Sequence, residues 1–93
     1  MDKSFTFIDT VEIFPQKGGW YFVRVPKLIT ERLDHKADRG VIAITATVGT
    51  TSWNTSLLPM GDGTHFIALN AKIRKREHIE LGTELDVHFR LRL

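Results

Sequence analysis

Hydrophobic residues in this chain fall mostly two apart, the period of a strand with one buried face. In "VIAITATV" (41–48), Ile42, Ile44, Ala46 and Val48 point one way and Val41, Ala43, Thr45 and Thr47 the other. Residues 84–93 alternate just as strictly, with Leu85, Val87, Phe89, Leu91 and Leu93 inward and Glu84, Asp86, His88, Arg90 and Arg92 outward. "SFTFIDTVEIF" (4–14) is less regular, because Ile8 breaks the face shared by Phe5 and Phe7; a bulge near Asp9 is expected there. "WYFVRV" (20–25) and "WNTSLLPM" (53–60) read as further strands. "HFIAL" (65–69) is apolar on both faces, which predicts a central strand. Two stretches keep a helical spacing instead. "PKLITERLDHK" opens on Pro26, whose missing donor suits a first turn, and sets Ile29 and Leu33 on one side. "AKIRKREHI" follows Asn70, a good cap, and ends before Gly82. Turns are expected at "PQKGG", "GTTS" and "GDG". The order β-β-α-β-β-β-α-β has too few helices for a parallel sheet. It predicts a mainly β domain: a small, mostly antiparallel barrel with two short helices.

Part of the pattern occurs twice. "WYFVRVPKLITERL" (20–33) lies over "THFIALNAKIRKRE" (64–77) at a shift of 44, matching Phe22 with Phe66, Val23 with Ile67, Val25 with Leu69, Ile29 with Ile73 and Arg32 with Arg76. Gly40 then matches Gly82 at a shift of 42. Each unit is strand, short helix, glycine, strand, and neither covers its apolar face alone. A pseudo-twofold barrel within one chain is the expected result.

Composition narrows the classes. Ninety-three residues make one domain, 1–93. There is no cysteine, so thiolate metal sites and disulfides are excluded. No apolar run approaches the ~18 residues of a membrane span, and "MDKSFTFID" lacks the order of a secretion signal. A cytoplasmic protein without a membrane partner is expected. The net charge of +2 lies wholly after residue 71.

"AKIRKREHIELGTELDVHF" resembles the swapped-hairpin half of the AbrB-type DNA-binding fold, in which two chains normally build one barrel. A fuller resemblance, over nearly the whole chain, is to the bacterial domain of unknown function nineteen-oh-five. It rests on the aromatic first strand, the Gly-Gly-Trp turn, "VP" before the first helix and "SLLPMGDGTHFIALNAKIRK", with Ser56, Leu57, Pro59, Gly61, Asp62, Gly63, Ile73, Arg74, Lys75 and Gly82 in place. Thr83 stands where that family usually has Asp. The resemblance implies a double-split β-barrel and brings no activity, cofactor or catalytic residue with it.

Candidate chemistry is sparse. On a helix Lys72, Lys75 and Arg76 share a side while Arg74 points elsewhere. The first three make either a solvated face or a phosphate contact. Arg74 is expected near the "SLLPMGDG" hairpin, pinning a carbonyl or holding a small anion. Trp20 and Trp53, at strand starts, close the ends of a core or offer an aromatic platform. His35, His65, His78 and His88 lack ligand spacing, so no metal is expected. Gly61-Asp62-Gly63 joins strands and is no phosphate loop. A Ser56–Asp62–His65 triad is disfavoured, because a hairpin closing at 61–63 sets His65 opposite Pro59 and Ser56 nearer Ala68. The preferred reading is a monomeric, non-enzymatic module that binds an unknown small ligand or protein partner, without a cofactor, in a groove lined by Trp53, Ser56 and Arg74. The alternative is an AbrB-like nucleic-acid-binding domain using Lys72, Lys75 and Arg76 with Arg90 and Arg92.

Overall fold

The computed structural model describes residues 4–16, 18–33 and 40–92. Its elements are β1 (Ser4–Thr10), β2 (Glu12–Ile13), β3 (Tyr21–Arg24), α1 (Lys27–Leu33), β4 (Ile42–Val48), β5 (Thr51–Pro59), β6 (His65–Ala68), α2 (Ala71–Arg76) and β7 (Glu84–Leu91). All strand pairs are antiparallel, in the order β1-β7-β4-β5-β6-β3-β2. β1 and β2 are two parts of one stretch of chain interrupted at Val11. The first and last strands of that order therefore meet, and the sheet nearly closes into a barrel. The expected class, mainly β with two short helices, is the observed one.

Val11 makes the closure. Its N–H donates to the Thr83 carbonyl (2.8 Å) and its carbonyl accepts from Gly82 N–H (3.0 Å), while its side chain is buried. Beyond it the chain leaves β7 and pairs with β3 through Glu12↔Phe22 and Ile13↔Tyr21. The irregularity thus lies at Val11 and not at Asp9. β1 stays in register through Ile8↔Asp86, Asp9↔Leu85 and Thr10↔Glu84, without a bulge, and Ile8 simply faces outward.

The strand order maps onto itself when β1/β2, β3 and β4 are exchanged with β5, β6 and β7. The matched residues Val23 and Ile67 are direct partners in the β3–β6 ladder, so the twofold relation passes between them. Val25 N–H donates to His65 O and Leu69 N–H to Tyr21 O, both at 2.9 Å, which are equivalent bonds at a shift of 44. The glycine match at 42 does not extend into the next strands. Ala46 pairs with Phe89, a shift of 43, and only an odd shift lays the buried Ile42, Ile44, Ala46 and Val48 over the buried Leu85, Val87, Phe89 and Leu91.

One apolar cluster fills the barrel, with Ile44, Leu57, Ile67, Val23, Val87 and Phe89 fully buried in it. β6 is central, between β5 and β3. Its doubly apolar pattern has a local cause: Ile67 faces the core, while Phe66 and Phe22 lie under Phe14 on the outside, ring centroids 4.0–5.6 Å apart. β5 begins at Thr51, two residues earlier than expected, because Gly49 (φ 59°) and Thr50 alone make the turn. α2 ends at Arg76, sooner than its sequence suggests. Glu77 turns its carboxylate to the hydroxyls of Thr50 and Thr51, and His78 takes a left-handed backbone (φ 54°). Ile79 N–H then reaches back to Arg74 O at 2.8 Å, closing the helix as a Schellman turn. The expected end of the first helix with His35 and Lys36, Lys17 of the turn and inward Leu93 lie outside the described residues. No helix among the described residues is long and apolar enough to cross a membrane.

Candidate functional site

Tyr21 and His65 are equivalent residues. Each is the inward-facing first residue of a short strand, β3 or β6, and each touches the helix of the other repeat. Their surroundings have diverged.

His65 is 3% exposed and is completely engaged. Its Nε2–H donates to the Gly40 carbonyl (2.9 Å), because a carbonyl can only accept. Nδ1 is then the acceptor for the hydroxyl of Thr30 on α1 (3.3 Å), itself buried. This end of the barrel is plugged by polar groups that satisfy one another. His65 pairs with Pro59, as the hairpin at 61–63 requires. Asp62 meanwhile accepts from the hydroxyl and N–H of Thr64, and these bonds hold its carboxyl below the usual carboxylate range. The hydrogen-bonding groups of Asp62 and His65 are thus directed to different partners.

At the Tyr21 end the equivalent of Thr30 is Arg74. Its guanidinium carbon sits 3.9 Å from the Tyr21 ring centroid, a close cation–π contact. Nε donates to the Leu69 carbonyl at 3.1 Å. The expected carbonyl pin exists, but the carbonyl belongs to Leu69, in the link between β6 and α2, and not to the "SLLPMGDG" hairpin. Two anchors, one on the face and one on the edge, fix the plane of the guanidinium. Among the described residues, neither terminal nitrogen has a hydrogen-bond partner.

Arg74 opens onto a cleft of about 420 Å³, within the range of small-molecule sites. Gly18, Gly19, Trp20 and Tyr21 form one wall, Trp53, Asn54 and Thr55 of β5 a second, and Ala68 to Ala71 with Arg74 the third. Gly19 is required there, since a Cβ would overlap the Phe14 carbonyl. That close approach, with Phe14 N–H donating to Trp20 O (3.0 Å), folds the β2–β3 turn tightly and brings Trp20 to the rim. Trp20 is 56% exposed, whereas Trp53 is half-buried and packs against the core.

Trp53 and Arg74 are therefore brought together, as the sequence suggested. Ser56 is not among the residues lining the cleft. It pairs with Ala43 and, three residues from Trp53, projects from the opposite face of β5. Trp20, weighed with Trp53 as an aromatic platform or a core closure, and Tyr21, which was not singled out as a ligand residue, complete the site. Their signal was the Gly-Gly-Trp turn facing the start of the second helix unit. Lys72, Lys75, Arg76 and Arg90 are exposed. Arg92 is committed elsewhere: its Nε donates to Ile44 O (2.9 Å) and Nη2 to Thr55 O (3.0 Å), clamping β4 and β5 behind the cleft. Among the described residues no three His, Asp or Glu side chains converge as for a metal ion.

A comparison with curated proteins finds no match. A family model, "Domain of unknown function (DUF1905)", matches residues 7–89, which takes in both repeats, the plugged end and every wall of the cleft. The chain is a member of that family.

Proposed function

We propose that this domain is a non-enzymatic module that binds a small ligand in the Arg74 cleft. The unequal fate of two equivalent barrel ends carries the reading. One is sealed by His65, Thr30 and Gly40, whereas the other keeps a fixed cation, two tryptophans and open volume at the same place. A chain that fills one end with a packed polar plug has the means to fill both. Among the described residues the cleft lining holds no His, Asp or Glu, and the Thr55 hydroxyl has no such base beside it, which supports binding without turnover. A monomer is favoured because the ends of the sheet meet within one chain, and a cysteine-free chain suits the cytoplasm. Screening a fragment library by amide and indole N–H NMR shifts tests the reading. Hits should cluster on Trp20, Trp53, Tyr21 and Arg74. A screen whose hits all fall elsewhere refutes it.

A second reading, nucleic-acid binding in the AbrB manner, draws on the exposed Lys72, Lys75 and Arg76 of α2. It predicts binding of labelled DNA or RNA that weakens steeply with salt. Arg92 contributes little to it, with its fork already on two carbonyls. No shift at low salt eliminates this reading.

A further inference from the structure

Building on the cleft reading, we propose that the ligand is a flat aromatic monocarboxylate, its acid group on the Arg74 fork and its ring against Trp20 and Trp53. The charge of the lining comes first. Arg74 is the one charged side chain among the described residues that form the cleft, and no carboxylate among them opposes it. A cationic ligand meets only repulsion there. A single guanidinium matches a single negative charge, whereas a phosphate monoester carries nearly two at neutral pH and would find no second cation among the described residues of the lining.

The polarity of the neutral groups agrees. Asn70 Oδ1 already accepts the N–H of Ile73 (2.9 Å), capping α2. Asn54 stands on the same face of β5 as Ser56, where its Oδ1 accepts the Thr45 hydroxyl of β4 (2.8 Å), so its amide is turned away from Trp53. What the Asn70 amide still offers is N–H. Together with the terminal nitrogens of Arg74 it presents donors, and a carboxylate is acceptor only. The geometry of Arg74 adds selectivity. Stacking on Tyr21 and the bond to Leu69 O hold the guanidinium plane before any ligand arrives, so a planar carboxylate meets a pre-set pair of parallel N–H groups. The tryptophans account for the ring. A tryptophan more than half exposed at the rim of a cleft is apolar surface without a covering, and a flat ring covers it at little entropic cost.

Four probes sharing one ring separate the claims: 2-naphthoate, 2-naphthamide, 2-naphthylmethylamine and 2-naphthyl phosphate, titrated by NMR and calorimetry. Naphthoate should bind at the Trp20, Trp53 and Arg74 signals about tenfold or more tighter than the amide, the return expected of a charge-assisted hydrogen-bonded pair. The amine should not bind, and the phosphate should bind more weakly than naphthoate. Arg74→Gln should bring naphthoate down to the level of the amide. Arg74→Lys, which keeps the charge but loses the fork, should fall between, and unchanged NMR spectra outside the cleft verify that each variant is folded. Amide, amine or phosphate binding the cleft as tightly as naphthoate, or tighter, overturns the carboxylate class and leaves the cleft a binding site. Failure of all four probes overturns the class, and the fragment screen then decides the cleft independently.

Discussion

Replacing His65 with Leu removes both bonds of the barrel plug and nothing else of comparable size. The cost follows from what is stranded. The Thr30 hydroxyl is buried and loses its only partner among the described residues. The Gly40 carbonyl is partly buried and loses the imidazole N–H. An orphaned buried polar group costs about 1–3 kcal/mol, with Gly40 at the low end because water reaches it. Leucine returns about 1 kcal/mol through added apolar burial. The net loss should be about 2 kcal/mol, or about 8–16 °C in melting temperature for a domain of this size. Urea unfolding should show a lower midpoint with the slope unchanged. The double variant His65→Leu, Thr30→Val isolates the pair, because replacing both partners of a buried hydrogen bond with apolar groups costs far less than replacing one. It should be more stable than the sum of the single variants predicts, by about 1 kcal/mol. Naphthoate binding at the opposite end should be unchanged in every folded variant. A His65→Leu protein within about 0.5 kcal/mol of the parent, or a strictly additive double variant, would refute the plug as an energetic unit.

Two smaller perturbations test other parts of the framework. His78 holds a left-handed backbone at the end of α2 where glycine is the usual residue, so His78→Gly should raise stability by about 0.5 kcal/mol in the same unfolding assay. Asp62 has its carboxyl held below the ordinary range, first by the Thr64 hydroxyl and then by the Thr64 N–H. The charged form is thus favoured in the folded state, and its contribution is present above the ordinary aspartate pKa and lost as pH falls through the lower folded value. NMR titration should place the Asp62 midpoint below that of an unstructured aspartate, and Thr64→Ala should move it back up.

The barrel was largely legible because its strands are amphipathic. In 41–48 and 84–91 every second residue is apolar, and a slip of one residue would expose the whole set. Asn70 was legible as a cap because capping is local, and it does accept from Ile73 N–H. What escaped was set by distant partners. The break at Val11 depends on Gly82 and Thr83, and the early end of α2 depends on Thr50 and Thr51 capturing Glu77. Matching Gly40 with Gly82 misled by one residue, because a loop absorbs an insertion that a ladder cannot. Half of the site was visible as Trp53 and Arg74. Tyr21, which fixes the guanidinium plane, was not, since no sequence rule sets a tyrosine of one repeat beneath an arginine of the next. Ser56 was grouped with them by nearness along the chain, and strand alternation sends it to the other face.

The interleaved strand order has a kinetic consequence. Among the described residues β4 pairs with β5 and β7, and β7 with β1 and β4, so the final strand of each repeat finds its neighbouring strands in the other. Emerging from the ribosome, the first repeat carries β4 with both flanks bare, and the barrel stays unsealed until β7 slides between β1 and β4. Such long-range closure makes folding slow for the chain's size. Each repeat produced as a separate polypeptide would stay unfolded until mixed with its counterpart.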